Sequence, residues 1–213
     1  MPAPDPRAAV VTCCRRLWQA GLIAGADGNV SVNLGDARFL VTPSGVPKSD
    51  LEPADLVVVD GDGQRLDGFR KPTSELDLHL RIYRQEEACG AVVHAHPPTA
   101  TAFGVCGQTI DSDILPEVTV VLGTVPLVPY ETPGTQALAA SVAPLVGKHA
   151  AVLLANHGAV TWGRSLTEAR IRMETLEHAA RILHATRALG RVNRLTPEQH
   201  DKLVTSRGTP RNG

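Results

Sequence analysis

The spacing of apolar and polar positions switches between two periods along the chain, and the switch points mark out its elements. Over residues 6–20 the period is helical: Val10, Cys14, Leu17 and Trp18 recur three or four apart, Asp5 stands where a cap belongs, Pro6 takes the first turn and Gly21 ends the run. Beyond the turn Gly25-Ala26-Asp27-Gly28 the period drops to two in Asn29-Val30-Ser31-Val32-Asn33-Leu34, which predicts a half-buried strand. Gly35-Asp36 reads as a hairpin turn leading into residues 38–41. Residues 56–60 form the next apolar run, and Gly61-Asp62-Gly63 turns it into a further strand. The first third of the chain is therefore expected to be antiparallel sheet.

Helical spacing returns after Pro72-Thr73-Ser74-Glu75, where Thr73 or Ser74 can cap a helix with Leu76, Leu80 and Tyr83 along one face. Ala91-Val92-Val93 predicts a short buried strand, residues 97–105 a helix, and residues 118–128 extended segments. Residues 133–146 predict a helix with Thr132 as cap, and residues 151–154 a central strand. The longest helix is expected over residues 166–189, where Ala169, Met173, Leu176, Ala180 and Leu183 line one stripe, and a last one over residues 197–204. No internal repeat or low-complexity linker interrupts this order. The expected architecture is a single α/β domain over residues 1–213, with helices on both sides of a mainly antiparallel central sheet in three layers.

Composition narrows the function. A chain of 213 residues suits one core. With 21 basic against 22 acidic side chains and 3% aromatics, it has neither the charge nor the stacking surface of a nucleic-acid binder. The longest apolar stretch, residues 118–130, is interrupted by Pro126 and Pro129 and is too short for a membrane span. The opening Met1-Pro2-Ala3-Pro4-Asp5-Pro6-Arg7 lacks a basic-then-apolar export signal, so a cytoplasmic protein acting on a small soluble substrate is expected. Cys13 and Cys14 are adjacent, Cys89 and Cys106 isolated, and no Cys-x-x-Cys occurs; reduced and mostly buried thiols are expected.

Three histidines carry the candidate chemistry. His94-Ala95-His96 ends a strand, where residues two apart point to one side, so both imidazoles can reach one ion. Taken alone, the pair fits a metal as well as two hydrogen-bonded surface histidines. His157, in Asn156-His157-Gly158 after the strand at 151–154, is a third ligand or an ordinary loop residue. Three imidazoles would leave a tetrahedral zinc one open position, as catalytic sites require. His79, His149, His178, His184 and His200 fall in helical or charged surroundings and are expected to be solvated. Glu75, at a helix start, is either first-turn electrostatics or a proton-transfer carboxylate. Gly28-Asn29 and Thr42-Pro43-Ser44-Gly45 are small polar turns of the kind that surround a phosphate.

Taken together, Gly28-Asn29-Val30-Ser31, Thr42-Pro43-Ser44-Gly45, Pro72-Thr73-Ser74-Glu75, Val93-His94-Ala95-His96, Pro129-Tyr130 with Gly134-Thr135, and Asn156-His157-Gly158 resemble the class II aldolase and adducin family over nearly the whole chain. The resemblance implies a zinc site at His94, His96 and His157, with Glu75 as a further ligand that becomes the acid/base when substrate binds. Manganese or cobalt would be alternative ions. It implies phosphate binding by Asn29, Ser44, Gly45, Thr73 and Ser74, and a four-fold homotetramer with active sites between subunits. The implied reaction is reversible cleavage of a ketose 1-phosphate, of the fuculose or 5-deoxypentulose type, to dihydroxyacetone phosphate and an aldehyde.

Other activities of the same family are a decarboxylase or dehydratase of a phosphorylated sugar acid or ketose, and a 4-epimerase, although the epimerases carry aspartate where Glu75 stands. A non-catalytic interaction domain would have lost the ligands. One departure bears on the choice. The region Leu115-Pro116-Glu117-Val118-Thr119-Val120 has no counterpart to the family's aldehyde-protonating tyrosine, and residues 205–213 lack the aromatic side chain that closes over the aldehyde.

Overall fold

The computed structural model describes residues 5–206. Eight strands form one sheet, in chain order β1 (Asn29–Gly35), β2 (Arg38–Val41), β3 (Val57–Asp60), β4 (Arg65–Asp67), β5 (Ala91–Ala95), β6 (Leu127–Val128), β7 (Ala151–Leu154) and β8 (Gly158–Gly163). Across the sheet the order is β4-β3-β2-β1-β5-β8-β7-β6. Every neighbouring pair is antiparallel except β6 with β7. Hairpins build each half, and the β1–β5 pairing joins them.

Both faces of the sheet are covered, which is why β5 and β7 read as nearly continuous apolar runs rather than alternating ones. One face, carrying Val30, Leu40, Val93, Leu153 and Ala159, packs against α1 (Pro6–Gln19), α3 (Pro98–Val105), α4 (Pro116–Val121) and α6 (Leu166–Leu189). The other, carrying Val41, Val59, Val92, Val152 and Trp162, packs against α2 (Leu76–Gln85) and α5 (Gln136–Val142). The final helix, α7 (Pro197–Ser206), lies beside α4. Among the described residues no helix is long and apolar enough to cross a membrane.

The long helices start and stop as their sequences dictate. Asp5 accepts from the Arg7 amide at 3.0 Å to cap α1. Ser165 accepts from the Glu168 amide at 3.2 Å to cap α6, which ends at Gly190. The start of α3 is secured from outside: the buried carboxylate of Glu177 on α6 accepts from the amides of Thr99 at 3.0 Å and Ala100 at 2.9 Å, and from Arg181 at 2.7 Å. This contact satisfies first-turn donors of α3 that would otherwise lie buried without partners. It also anchors the helix that follows directly on His94-Ala95-His96-Pro97.

Several elements depart from the sequence reading. Asn29 and Ser31 do not face solvent; β1 is buried on both sides, and its polar row lies under α2. Within residues 118–128 only Leu127 and Val128 are extended. The segment before them is α4, begun by Pro116 and held by Thr119 Oγ1 donating to the Ser112 carbonyl at 2.7 Å. The helix expected over residues 133–146 is confined to α5, because Gly134 takes a left-handed φ of 76° against the Ser74 carbonyl. Thr135, not Thr132, caps it. Strand β8 was not anticipated, its apolar run being short and bounded by Gly158 and Gly163. The cysteines behave as expected: all four are free, Cys13, Cys14 and Cys89 are buried, and Cys106 is exposed.

Two outcomes check this packing. Burial pushes the thiols of Cys13 and Cys89 up to about 12 and that of Cys14 higher still, so a disulfide reagent at neutral pH should titrate one thiol in the native protein and four in denaturant. Glu177→Ala should cost about 3 kcal/mol, read from the urea midpoint, since two buried amides lose their acceptor. Glu177→Gln, which keeps one acceptor oxygen, should cost less.

Candidate metal centre

Register across the sheet assembles the site. His94 occupies the penultimate position of β5, opposite Asn29 on β1 and Val160 on β8. His96 lies just past the strand end, its amide bonded to the Leu22 carbonyl at 3.1 Å. His157 sits in the tight turn joining β7 to β8, made possible by Asn156 at a left-handed φ of 56°. Two glycines permit the closeness. A Cβ on Gly158 would lie 2.6 Å from the Ala95 carbonyl and from the His96 ring, and one on Gly28 would lie 2.8 Å from the His94 carbonyl.

The three imidazoles meet with ring centroids 4.7 to 5.2 Å apart. One nitrogen from each lies within 4.8 Å of the others, so the group could hold a metal ion. Glu75 reaches the same point. Its Oε2 is 2.9 Å from His94 Nε2, and its Oε1 is 3.4 Å from His157 Nε2.

The protonation pattern tests whether a cation fits. His94 Nδ1 lies 3.0 Å from the Ala159 carbonyl, which can only accept, so this nitrogen carries the hydrogen and Nε2 is the ring atom turned toward the site. That atom faces the Glu75 carboxylate and, at 3.1 Å, His96 Nε2. Three potential ligand atoms thus converge on one point. Glu75 Oε1 and His157 Nδ1 are moreover buried without hydrogen-bond partners. The donor set of imidazole nitrogens with a carboxylate at hand is one that zinc and related divalent ions accept.

The electrostatics follow the crowding. Burial would raise the Glu75 carboxyl, but the His94 imidazole, the Asn29 amide and His157 together outweigh it and hold the group well below the usual carboxylate range. Burial lowers His157 to about 4, with His94 adding to the effect, and lowers His96 in the same way. Both shifts favour the neutral rings of His96 and His157, the form in which an imidazole binds a metal.

Beside the histidines lies a cleft of about 160 Å³. Asn29, Ser44, Gly45, Thr73 and Ser74 all line it, together with Glu75, His96 and His157. The two polar turns are held side by side: the Thr73 amide donates to the Thr42 carbonyl at 3.1 Å and the Ser44 amide to that of Lys71 at 3.0 Å. Neither Thr73 nor Ser74 caps α2 as expected. Glu75 is the N-cap residue, and Thr73 Oγ1 instead accepts from the Glu75 amide at 3.3 Å. The Asn29 side chain is largely committed within the protein, its Nδ2 donating to Glu75 Oε2 at 2.9 Å. A larger hollow of about 920 Å³ lies at the opposite ends of these strands, around Lys148, His149 and Arg164. Among the described residues no group of three metal-ligating side chains converges there, and the smaller cleft is the candidate site.

Three residues near the site were not singled out from sequence. Asp27 Oδ2 lies 3.6 Å from His96 Nδ1. Lys48 is buried against the cleft, its ammonium donating to the carbonyls of Ala26 and Val46 at 3.0 Å each, and burial lowers its pKa. His79, expected to be solvated, is wholly buried and bonded to Asn29 and Ser31. The spacing of Glu75, His79 and Tyr83, four apart on one helix, was the signal that could have found it.

Residues 8–184 match the model of the Class II Aldolase and Adducin N-terminal domain, and the chain belongs to this family. It is 42% identical over 171 residues, 78% of this chain and 80% of the relative, to a 3-oxo-tetronate 4-phosphate decarboxylase of Escherichia coli strain K12. To a 5-deoxy-D-ribulose 1-phosphate aldolase of Bacillus thuringiensis it is 33% identical over 203 residues, 93% of each chain. The structure of an L-fuculose 1-phosphate aldolase superposes with a TM-score of 0.89 at 28% identity, covering 97% of both chains.

Metal content checks the centre. Wild-type protein dialysed against zinc should retain about one ion per chain by atomic emission, and His94→Ala should retain none. Gly158→Ala should also lose metal while keeping its helical circular dichroism, because the added methyl displaces the His96 ring.

Proposed function

We propose that the chain is a metal-dependent lyase that breaks a carbon–carbon bond in a phosphorylated keto sugar or keto acid and releases dihydroxyacetone phosphate. The observation that carries this reading is the meeting of Glu75 and three imidazoles at the mouth of a cleft lined by the polar turns at 44–45 and 73–74. A bound ion, zinc first and manganese or cobalt as alternatives, would be held by His94, His96 and His157 and supply a Lewis acid for the substrate's ketone and neighbouring hydroxyl oxygens. Asn29, Ser44, Gly45, Thr73 and Ser74 grip the phosphate and fix the register of the carbon chain. Glu75 moves the proton at the carbon that loses its substituent.

Two departing fragments are compatible with this arrangement, because both leave the same enediolate. In a 3-oxo-tetronate 4-phosphate, the bond from the carboxylate carbon to the hydroxyl-bearing carbon breaks. Its electron pair moves toward the ketone oxygen, carbon dioxide leaves, and one proton added at that carbon gives dihydroxyacetone phosphate. In a ketose 1-phosphate the bond between C3 and C4 breaks, and the C4 hydroxyl must lose its proton as the aldehyde departs.

Decarboxylation is the first reading. Carbon dioxide leaves without proton exchange on its own oxygens, and α4 carries no tyrosine to serve an aldehyde: the chain's two tyrosines are the buried Tyr83 and the exposed Tyr130. The 42% identity to the decarboxylase supports the same choice. Aldol cleavage is the second reading, supported by the 33% identity that runs over 93% of the chain. The counterpart of the aromatic side chain that closes over the aldehyde would fall in residues 205–213, most of which lie outside the described residues. The family resemblance also supports a homotetramer, which light scattering should find at four times the 22.6 kDa chain mass.

Metal-loaded enzyme given 3-oxo-tetronate 4-phosphate should yield dihydroxyacetone phosphate and carbon dioxide in equal amounts, by coupled reduction of the triose phosphate and trapping of the gas. Acetaldehyde from 5-deoxyribulose 1-phosphate, with no gas from the acid, would establish the second reading, and triose phosphate from neither would overturn both. Glu75→Gln should keep its metal yet lower turnover by roughly 10²–10⁴.

A further inference from the structure

We propose that His79 is a positioning residue for the acid/base Glu75, acting through Asn29 along a buried chain of hydrogen bonds of one fixed polarity. The inference rests on the reading of Glu75 as the proton-transfer group. The chain runs from Tyr83 through Ser31 and His79 to Asn29, and every member is buried. Tyr83 Oη and Ser31 Oγ are 2.8 Å apart, Ser31 Oγ and His79 Nδ1 2.6 Å, and His79 Nε2 and Asn29 Oδ1 2.5 Å. Asn29 Nδ2 then donates to Glu75 Oε2 at 2.9 Å.

The carboxylate fixes the direction of every hydrogen. An ionised Glu75 oxygen only accepts, so the side of Asn29 turned toward it is the amide nitrogen; the flipped orientation would set a carbonyl oxygen against the carboxylate. The other side of Asn29 is therefore its carbonyl, which must receive a hydrogen from His79 Nε2. A neutral imidazole protonated at Nε2 accepts at Nδ1, so Ser31 donates there, and the Ser31 oxygen in turn accepts from the Tyr83 hydroxyl. No donor faces a donor along the chain.

Neutrality of the ring is enforced locally: burial, reinforced by His94, lowers the His79 pKa to about 3. With its tautomer set, His79 holds the carboxamide of Asn29 in one plane and thereby the carboxylate in one rotamer, at the spot where Oε2 also meets His94 Nε2. A plain packing role for this polar row would require only that α2 adhere to the sheet, which Leu78, Leu80 and Ile82 already secure with Val41 on β2 and Val92 on β5.

The test uses metal-loaded protein and the exchange of solvent deuterium into dihydroxyacetone phosphate, a partial reaction common to both product readings. Histidine nitrogen NMR of the wild type should show His79 as the neutral Nε2–H tautomer down to pH 5. Ser31→Ala, which removes the donor to Nδ1, should shift that signature toward a tautomer mixture and lower the exchange kcat about 10-fold. His79→Phe should lower it about 100-fold, with KM for dihydroxyacetone phosphate and metal content unchanged in both. If His79→Phe does not fold, Ser31→Ala carries the test alone. A folded, metal-loaded variant whose kcat stays within twofold of wild type, or whose loss falls on KM, would overturn the proposal while leaving the lyase reading intact. Full exchange in Glu75→Gln would instead remove the acid/base reading itself, and the role of His79 with it.

Discussion

The pairing of β1 with β5 is the constraint on which the site depends. It joins two hairpin halves that would otherwise each have one exposed edge, and its register sets Asn29 directly opposite His94. Because strand side chains alternate with a period of two, a slip of one residue would send His94 to the face occupied by α3 and α6 and bring Val93 beneath Glu75. Gly28 and Gly158 set the limits of this register, since a methyl on either would strike the backbone at His94 or Ala95.

That register forces a carboxylate and several imidazole nitrogens into contact in a place largely shielded from water. Such an arrangement is unfavourable by itself, and the fold sustains it with bonds from behind. Ala159 holds His94, Asn29 holds Glu75, and Glu177 secures the helix that leaves the histidine strand. The ligand atoms that packing brings together are the ones a divalent ion would be held by, so the register of the sheet and the capacity for a cation have one source. Glu75 and the polar turns of the cleft come from the other half of the sheet, so the two parts build the cleft together.

Much of this was legible in the sequence, for identifiable reasons. The long helices α1 and α6 were readable because cap, period and stop agree within each, and β2, β3 and β7 because their apolar runs are bounded by turns. The three histidines and Glu75 were found from strand-end spacing together with the ordered motifs of the family, and the structure brings all four to one point. What stayed hidden was decided by tertiary contact. The helix α4 is built from β-branched residues that favour a strand locally, and the start of α5 was delayed by the approach of Gly134 to Ser74. His79 looked solvated because its partners, Asn29 and Ser31, are nearly fifty residues away and themselves looked like the wet side of a strand.

The sheet ends on two very short strands, β4 with three residues and β6 with two. A margin so brief offers hardly any free peptide groups in a row, so a second sheet finds little to zip onto at either border. The proposed contacts between copies of the chain would therefore fall to helices and connecting segments. A homotetramer of the kind proposed would then form without the risk of fibrous stacking that a longer open border would bring.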